Sequence, residues 1–153
     1  MTAAVGSQAP DFSTRNQHGE EIRLSQYAGR PVVLVFYPYA FSGVCTGELT
    51  TLRDCPDLLA AAEFLAISCD PMFSLRAYDD AQGLGFSLLT DFWPHGAIAT
   101  SYGAFDPERG CARRATFVID GAGVIRWSVL NPMPAARNPD DYARALANLG
   151  PSK

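Results

Sequence analysis

The chemistry available to this 153-residue chain sits in four cysteines, two histidines and a few residues around one of the cysteines. Cys45, Cys55, Cys69 and Cys111 succeed one another at spacings of 10, 14 and 42 residues. These spacings match no zinc pattern and contain no C-x-x-C pair. His18 and His95 have no metal-binding partner at helical spacing. His18 reads as a turn residue and His95 as a structural residue near a helix start. Cys45 stands apart because the apolar run PVVLVFYP precedes it and the helix-like segment TGELTTLRD comes directly after it. A thiol at a helix start meets unpaired backbone N–H groups and the positive end of the helix dipole, which favour thiolate over thiol. The thiolate is the nucleophile, so this placement predicts a reactive group. The plain alternative is a buried cysteine serving as a small apolar side chain.

The neighbours favour chemistry. Ser42, three residues earlier, offers a hydroxyl that can donate and accept. Pro38 lacks an N–H and can shield the thiol from bulk water. Glu48, three residues later, lies on the same helix face. A carboxylate there does not itself favour a thiolate, but it can hold a cation that does.

The residue pattern predicts the strands and helices around these residues. DFSTRNQHGEEIRLSQY predicts a hairpin around His18-Gly19, then a short turn or helix at 25–27. PVVLVFY is a continuous apolar run, as in a strand covered on both faces. Residues 46–62 predict a helix that Pro56 kinks or breaks near Asp54-Cys55. EFLAISCD predicts a second buried strand. PMFSLRAYDDAQG opens on proline and closes on glycine, as helices do. FSLLTD is a short strand, and WPHGAIATSYG a short helix ending at Gly103. RATFVIDGAGVIRWSVL predicts two strands around an Asp120-Gly121 turn. NPDDYARALANLG is a closing helix capped by Asn138. The order predicts an α/β fold, a central mixed sheet flanked by helices with an N-terminal β-hairpin, in a single domain over residues 1–153.

Composition narrows the function classes. The chain is 48% hydrophobic and carries a net charge of −4 without a basic cluster, which argues against nucleic acid as a partner. No apolar run approaches the ~20 residues that span a membrane. The segment MTAAVGSQAPDF lacks the basic and apolar regions of a secretory signal, so a reducing, cytoplasmic location with free thiols is expected.

Pro38, YAF, Ser42, GV and Cys45 together resemble the peroxiredoxin signature: proline, three residues, Thr or Ser, two residues, peroxidatic cysteine. The similarity extends along the chain, through GSQAPDF at 6–12, VVLVFYP, LAISCD, LLTD and RRATFVIDGAGVIR. PYAFSGVC and TDFWPHGA resemble the one-cysteine group of alkyl hydroperoxide reductase E, AhpE. The resemblance implies a thioredoxin-like fold and a thiol-dependent peroxidase acting on hydrogen peroxide and organic hydroperoxides. It maps the second active-site residue onto Arg114, with Arg113 as its neighbour. A guanidinium there favours a thiolate and bonds peroxide oxygens. Ser42 stands where threonine is commoner, which keeps the hydroxyl and loses a stiffening methyl.

The expected reaction converts Cys45 to a sulfenic acid and needs no metal, haem or flavin as cofactor. Its reduction leaves several routes. Cys55 lies roughly 15 Å along a continuous helix, beyond disulfide reach, unless the Pro56 break lets the segment unfold. Cys69 and Cys111 are further candidates for a resolving cysteine. The resemblance favours an external thiol: a low-molecular-weight thiol, a mycoredoxin or other glutaredoxin-like protein, or a thioredoxin. It also implies a homodimer, with Phe92 and Trp93 as interface anchors or, alternatively, as core residues. Two other functions compete. A thioredoxin-type thiol–disulfide oxidoreductase needs a second close thiol, and Glu48 stands where one would be. A non-catalytic scaffold or chaperone predicts loss of Ser42, Cys45 or Arg114, and all three are present.

Overall fold

Strand β3 (Val32–Phe36) is the centre of the molecule, and all five of its residues are buried. In the computed structural model, which describes residues 3–149, it lies third in a five-stranded sheet of order β5-β4-β3-β8-β9. β4 (Glu63–Ser68) runs parallel to β3, and β5 (Ser87–Thr90) parallel to β4. β8 (Arg114–Ile119) and β9 (Ile125–Asn131) are antiparallel. Alternation along β3 explains the two cores. Val32, Leu34 and Phe36 join Tyr102 and Phe117 on one face, while Val33, Val35 and Tyr37 join Cys45, Leu49, Leu52 and Tyr142 on the other. This is the mixed sheet flanked by helices that the sequence predicts.

The parallel crossover from β3 to β4 carries α1 (Gly43–Arg53) and α2 (Pro56–Ala61). α1 begins three residues earlier than expected, so Cys45 is its third residue rather than a residue ahead of it. The predicted break is present: Cys55 occupies the N-cap position of α2 and Pro56 takes its first position, where a missing N–H costs nothing. α3 (Met72–Gln82) ends at Gly83, whose φ of 58° is left-handed. α5 (Pro139–Ala147) starts at Asn138, whose side chain accepts a hydrogen bond from the Asp140 N–H.

The N-terminal hairpin pairs β1 (Ser13–Arg15) with β2 (Glu21–Arg23), and a 3₁₀ turn at Leu24–Tyr27 comes after it. Three details differ from expectation. α4 covers only Ala97–Ser101, because residues 92–96 form a turn closed by the Gly96 N–H on the Asp91 carbonyl. The β8–β9 turn is wider than two residues. Asp120 accepts from the N–H groups of Ala122 and Val124, and the left-handed residue is Gly123. A small ladder of β6 (Phe105–Asp106) and β7 (Cys111–Ala112) is an addition, since two-residue strands leave no periodic signal. Among the described residues, no helix is long and apolar enough to cross a membrane.

Candidate active site

The β3–β8 register builds the site. Phe36 pairs with Ala115, so Arg114 begins β8 just where β3 gives way to Pro38 and the turn before α1. Chain positions 69 residues apart are thereby brought together. Arg114 points both terminal nitrogens at the Cys45 sulfur, each at 3.6 Å. Its Nε donates to the Met133 carbonyl at 2.9 Å, which fixes the guanidinium plane. Arg113, the alternative from sequence, is exposed, and its backbone N–H bonds the Ala104 carbonyl.

Glu48 is buried one helical turn beyond Cys45 and holds two cations. Arg114 donates to its Oε1. Arg137 donates through Nε to Oε2 at 2.8 Å and through a terminal nitrogen to Oε1 at 3.0 Å. The Arg137 backbone N–H adds a bond to Oε2 at 2.6 Å. Burial alone pushes the Glu48 carboxyl up. The hydrogen bonds and charge of Arg137, with the charge of Arg114, outweigh it and hold the carboxyl below its usual range. Arg137 also donates to the carbonyls of Phe36 at 2.7 Å and Ala115 at 2.8 Å, and to the Thr116 hydroxyl. It ties together the two strand ends that carry the site.

Sequence reading missed Arg137. It lies in MPAARNPDD, an irregular stretch before a helix cap, and its partner is 89 residues away. The available signal was Glu48 itself, since a carboxylate on a buried helix face requires partners.

Ser42 occupies the N-cap of α1 without capping it. Its hydroxyl donates to the Tyr39 carbonyl at 2.9 Å, leaving the first-turn N–H groups without a side-chain acceptor. Pro38 is buried at the end of the strand. Cys45 has no exposed surface. Cys45 packs into the core cluster with Val35, Tyr37 and Leu49, so capture of its sulfur by a second thiol requires an opening.

All four thiols are free. Cys55 is half-buried at the α1–α2 break, with its thiol on the Thr51 carbonyl. Cys69 lies just past the end of β4, where burial, with nearby Asp91, pushes its thiol up to about 12. Cys111 is fully buried in β7. Burial pushes its thiol up, against a hydrogen bond from Tyr39 that favours ionisation. His18 is exposed, and His95 is exposed with a ring nitrogen 2.7 Å from the Gly110 carbonyl. No group of three or more His, Cys, Asp or Glu among the described residues could hold a metal ion. Trp93 is 83% exposed and Phe92 48%, so neither fills the core.

A model of the AhpC/TSA family matches residues 5–128. The chain belongs to the AhpC/TSA family. Alkyl hydroperoxide reductase E of Mycobacterium tuberculosis is 42% identical over 150 residues, covering 95% of this chain and 97% of the relative. The AhpC of Enterococcus faecalis superposes with a TM-score of 0.86 at 27% identity, covering 97% of this chain and 93% of that one. The reduced 2-Cys peroxiredoxin of Plasmodium vivax gives a TM-score of 0.86 at 26% identity, covering 95% and 81%. The chain is thus an AhpE-like peroxiredoxin with the thioredoxin-like fold expected from its sequence, and a thiol-dependent peroxidase. Neither the thiol–disulfide oxidoreductase nor the scaffold reading gains support from these relatives.

Proposed function

We propose that Cys45 is the peroxidatic thiol and that Arg114, Ser42 and Pro38 complete its site, with Glu48 in support. The observation that carries this reading is the pair of guanidinium N–H groups aimed at one sulfur. The Cys45 thiolate attacks the terminal oxygen of a hydroperoxide, forming the S–O bond as the O–O bond breaks. The leaving oxygen takes a proton and departs as alcohol or water, and Cys45 is left as sulfenic acid. Arg114 is already in place for the charge that moves onto oxygen, so no reorganisation is needed. The first-turn amides of α1 and the Ser42 hydroxyl hold the peroxide oxygens, and Pro38 excludes water. Glu48 keeps Arg114 oriented.

An external thiol then attacks the sulfenic sulfur, releases water and leaves a mixed disulfide that a second thiol cleaves. A low-molecular-weight thiol, a mycoredoxin or other glutaredoxin-like protein, or a thioredoxin fits this role. The buried thiols of Cys69 and Cys111 are held protonated and are poor nucleophiles. Such recycling suits the reducing cytoplasm. The exposed rings of Trp93, Phe92 and Phe41 support a homodimer, because large exposed aromatics are typical interface anchors. The deciding experiment is one equivalent of hydrogen peroxide, a sulfenic-acid trap and peptide mass spectrometry. The trap is expected on Cys45, and Cys45→Ser is expected to lose all turnover. Wild-type turnover in that variant would refute the assignment.

A further inference from the structure

The turn from Pro38 to Ser42 contains the one residue other than glycine with positive φ among those described, Phe41 at 69°. A bulky side chain disfavours that conformation, so the surrounding structure must impose it. Phe41 and the residue before it each have a contact from outside the turn. The Phe41 ring packs on Tyr78 with centroids 4.9 Å apart. The backbone N–H of Ala40, the residue before Phe41, donates to the Asp70 carboxylate at 2.9 Å.

Asp70 is itself held from both sides. The Ser68 hydroxyl donates to the same carboxylate oxygen at 2.7 Å. The Thr90 hydroxyl donates to the Asp70 carbonyl at 2.6 Å. The Asp91 N–H donates to the Ser68 carbonyl at 2.8 Å. The carboxylate thus projects from the joined ends of β4 and β5 onto the segment that delivers Ser42 and the first turn of α1.

We propose that Asp70 is a positioning residue for peroxide reduction: through the Ala40 N–H it sets the turn that places Ser42 and the Cys45 sulfur against Arg114. Asp70 acts through the backbone rather than on sulfur or peroxide. It works by denying the strained turn its relaxed alternatives. The chemistry requires that denial, because a displacement of about 1 Å at a reacting group costs on the order of 10²-fold in rate. The inference rests on Cys45 being the reacting thiol.

The test compares wild type, Asp70→Ala and Asp70→Asn in single-turnover oxidation by hydrogen peroxide, with Cys45 sulfenic acid counted after quenching. Thermal unfolding of each protein is recorded alongside. Asp70→Ala is expected to slow Cys45 oxidation by about 10-fold or more. Asp70→Asn keeps an acceptor oxygen for Ala40 while losing the charge, and is expected to recover to within a few-fold of wild type. That rescue separates positioning by an acceptor from a charge effect. If Asp70→Ala does not fold, Ser68→Ala, which frees the carboxylate from its second tether, is expected to show a smaller slowing. Wild-type rates in Asp70→Ala, or in Ser68→Ala where that variant is used, or an Asp70→Asn as slow as Asp70→Ala, would overturn the proposal. Failure of wild-type Cys45 to oxidise at all would instead overturn the site assignment beneath it.

Discussion

Arg114 and Cys45 meet with both terminal guanidinium nitrogens 3.6 Å from one sulfur, and the third guanidinium nitrogen is held by the Met133 carbonyl. The arginine is therefore a fixed donor pair before any peroxide arrives. Replacing it with alanine is expected to slow Cys45 oxidation by about 10²-fold, the usual loss for one preorganised electrostatic donor. Arg113→Ala, on the exposed neighbour, is expected to stay near the wild-type rate. Stopped-flow oxidation of both variants checks the pair, and equal losses would move the role away from Arg114.

Glu48 should control stability as well as orientation. Removing one partner of a buried ion pair costs about 3–5 kcal/mol, so Glu48→Gln is expected to lower stability by about 3 kcal/mol at neutral pH. The native carboxyl titrates below its unfolded value of about 4.3, so its contribution is complete above that pH. As pH falls through the depressed native pKa the carboxylate protonates and the contribution disappears. Denaturant melts from pH 6 to pH 3 should show the wild-type advantage over Glu48→Gln shrinking. A gap that stays constant would mean that charge is not what Glu48 supplies.

Cys69 should behave as an inert thiol until strongly alkaline pH. Its proton is held up to about 12, against about 8.5 in an unfolded chain, so the unfolded state ionises first. Stability is unaffected by this group below about pH 8.5 and falls as pH rises from there toward the native value. Alkylation of native protein at pH 8 is expected to mark half-exposed Cys55 well before Cys69. Peptide mapping over time gives the order, and early labelling of Cys69 would contradict it.

Recycling makes a further prediction. One equivalent of peroxide without reductant should leave Cys45 as sulfenic acid, and excess peroxide should carry it to sulfinic acid. Intact mass and a non-reducing digest distinguish these products. A stoichiometric disulfide from Cys45 to Cys55, Cys69 or Cys111 within one chain would displace the external thiol and identify the resolving residue.

The aromatic loop after β5 predicts self-association. Trp93→Ser is expected to shift the protein toward a 16.5 kDa species in sedimentation at micromolar concentration, relative to a wild-type dimer. Wild type sedimenting as a monomer would remove the case for the interface.

What the sequence made legible was local. An apolar run bounded by prolines reads as β3 because buried central strands need no alternation. Pro56 and Gly83 mark helix ends through backbone geometry alone. Cys45, Pro38 and Ser42 lie within eight residues, so one motif exposes them together. Arg114 was reached through resemblance, and its distance in sequence shows why: only the antiparallel register of β8 on β3 brings it to the thiol. Arg137 gave no such signal, and Asp70, though inside the matched run LAISCD, gave none of its contact. Arg137 is fixed by the fold of an irregular segment. Asp70 acts on a backbone N–H, which has no side-chain identity to match. The turn at 92–96 imitates a helix start in sequence through Trp93-Pro94, while α4 begins only at Ala97, with the N–H groups of Ile98 and Ala99 donating to the Asp91 carboxylate ahead of the turn.

The ion cluster under the sulfur also bears on the step after oxidation. Arg114, Arg137 and Glu48, all with side chains at most 5% exposed, bring two positive charges and one negative charge out of water. An anionic Cys45 brings the group to neutrality, and a sulfenic acid does not. Oxidation of Cys45 on the proposed mechanism would therefore leave the pocket with a surplus positive charge among side chains at most 5% exposed. The species best suited to relieve it is a small anion, and the anion that can also react is a thiolate. On the proposed mechanism, turnover at Cys45 would thus leave a pocket whose charge favours an incoming thiolate.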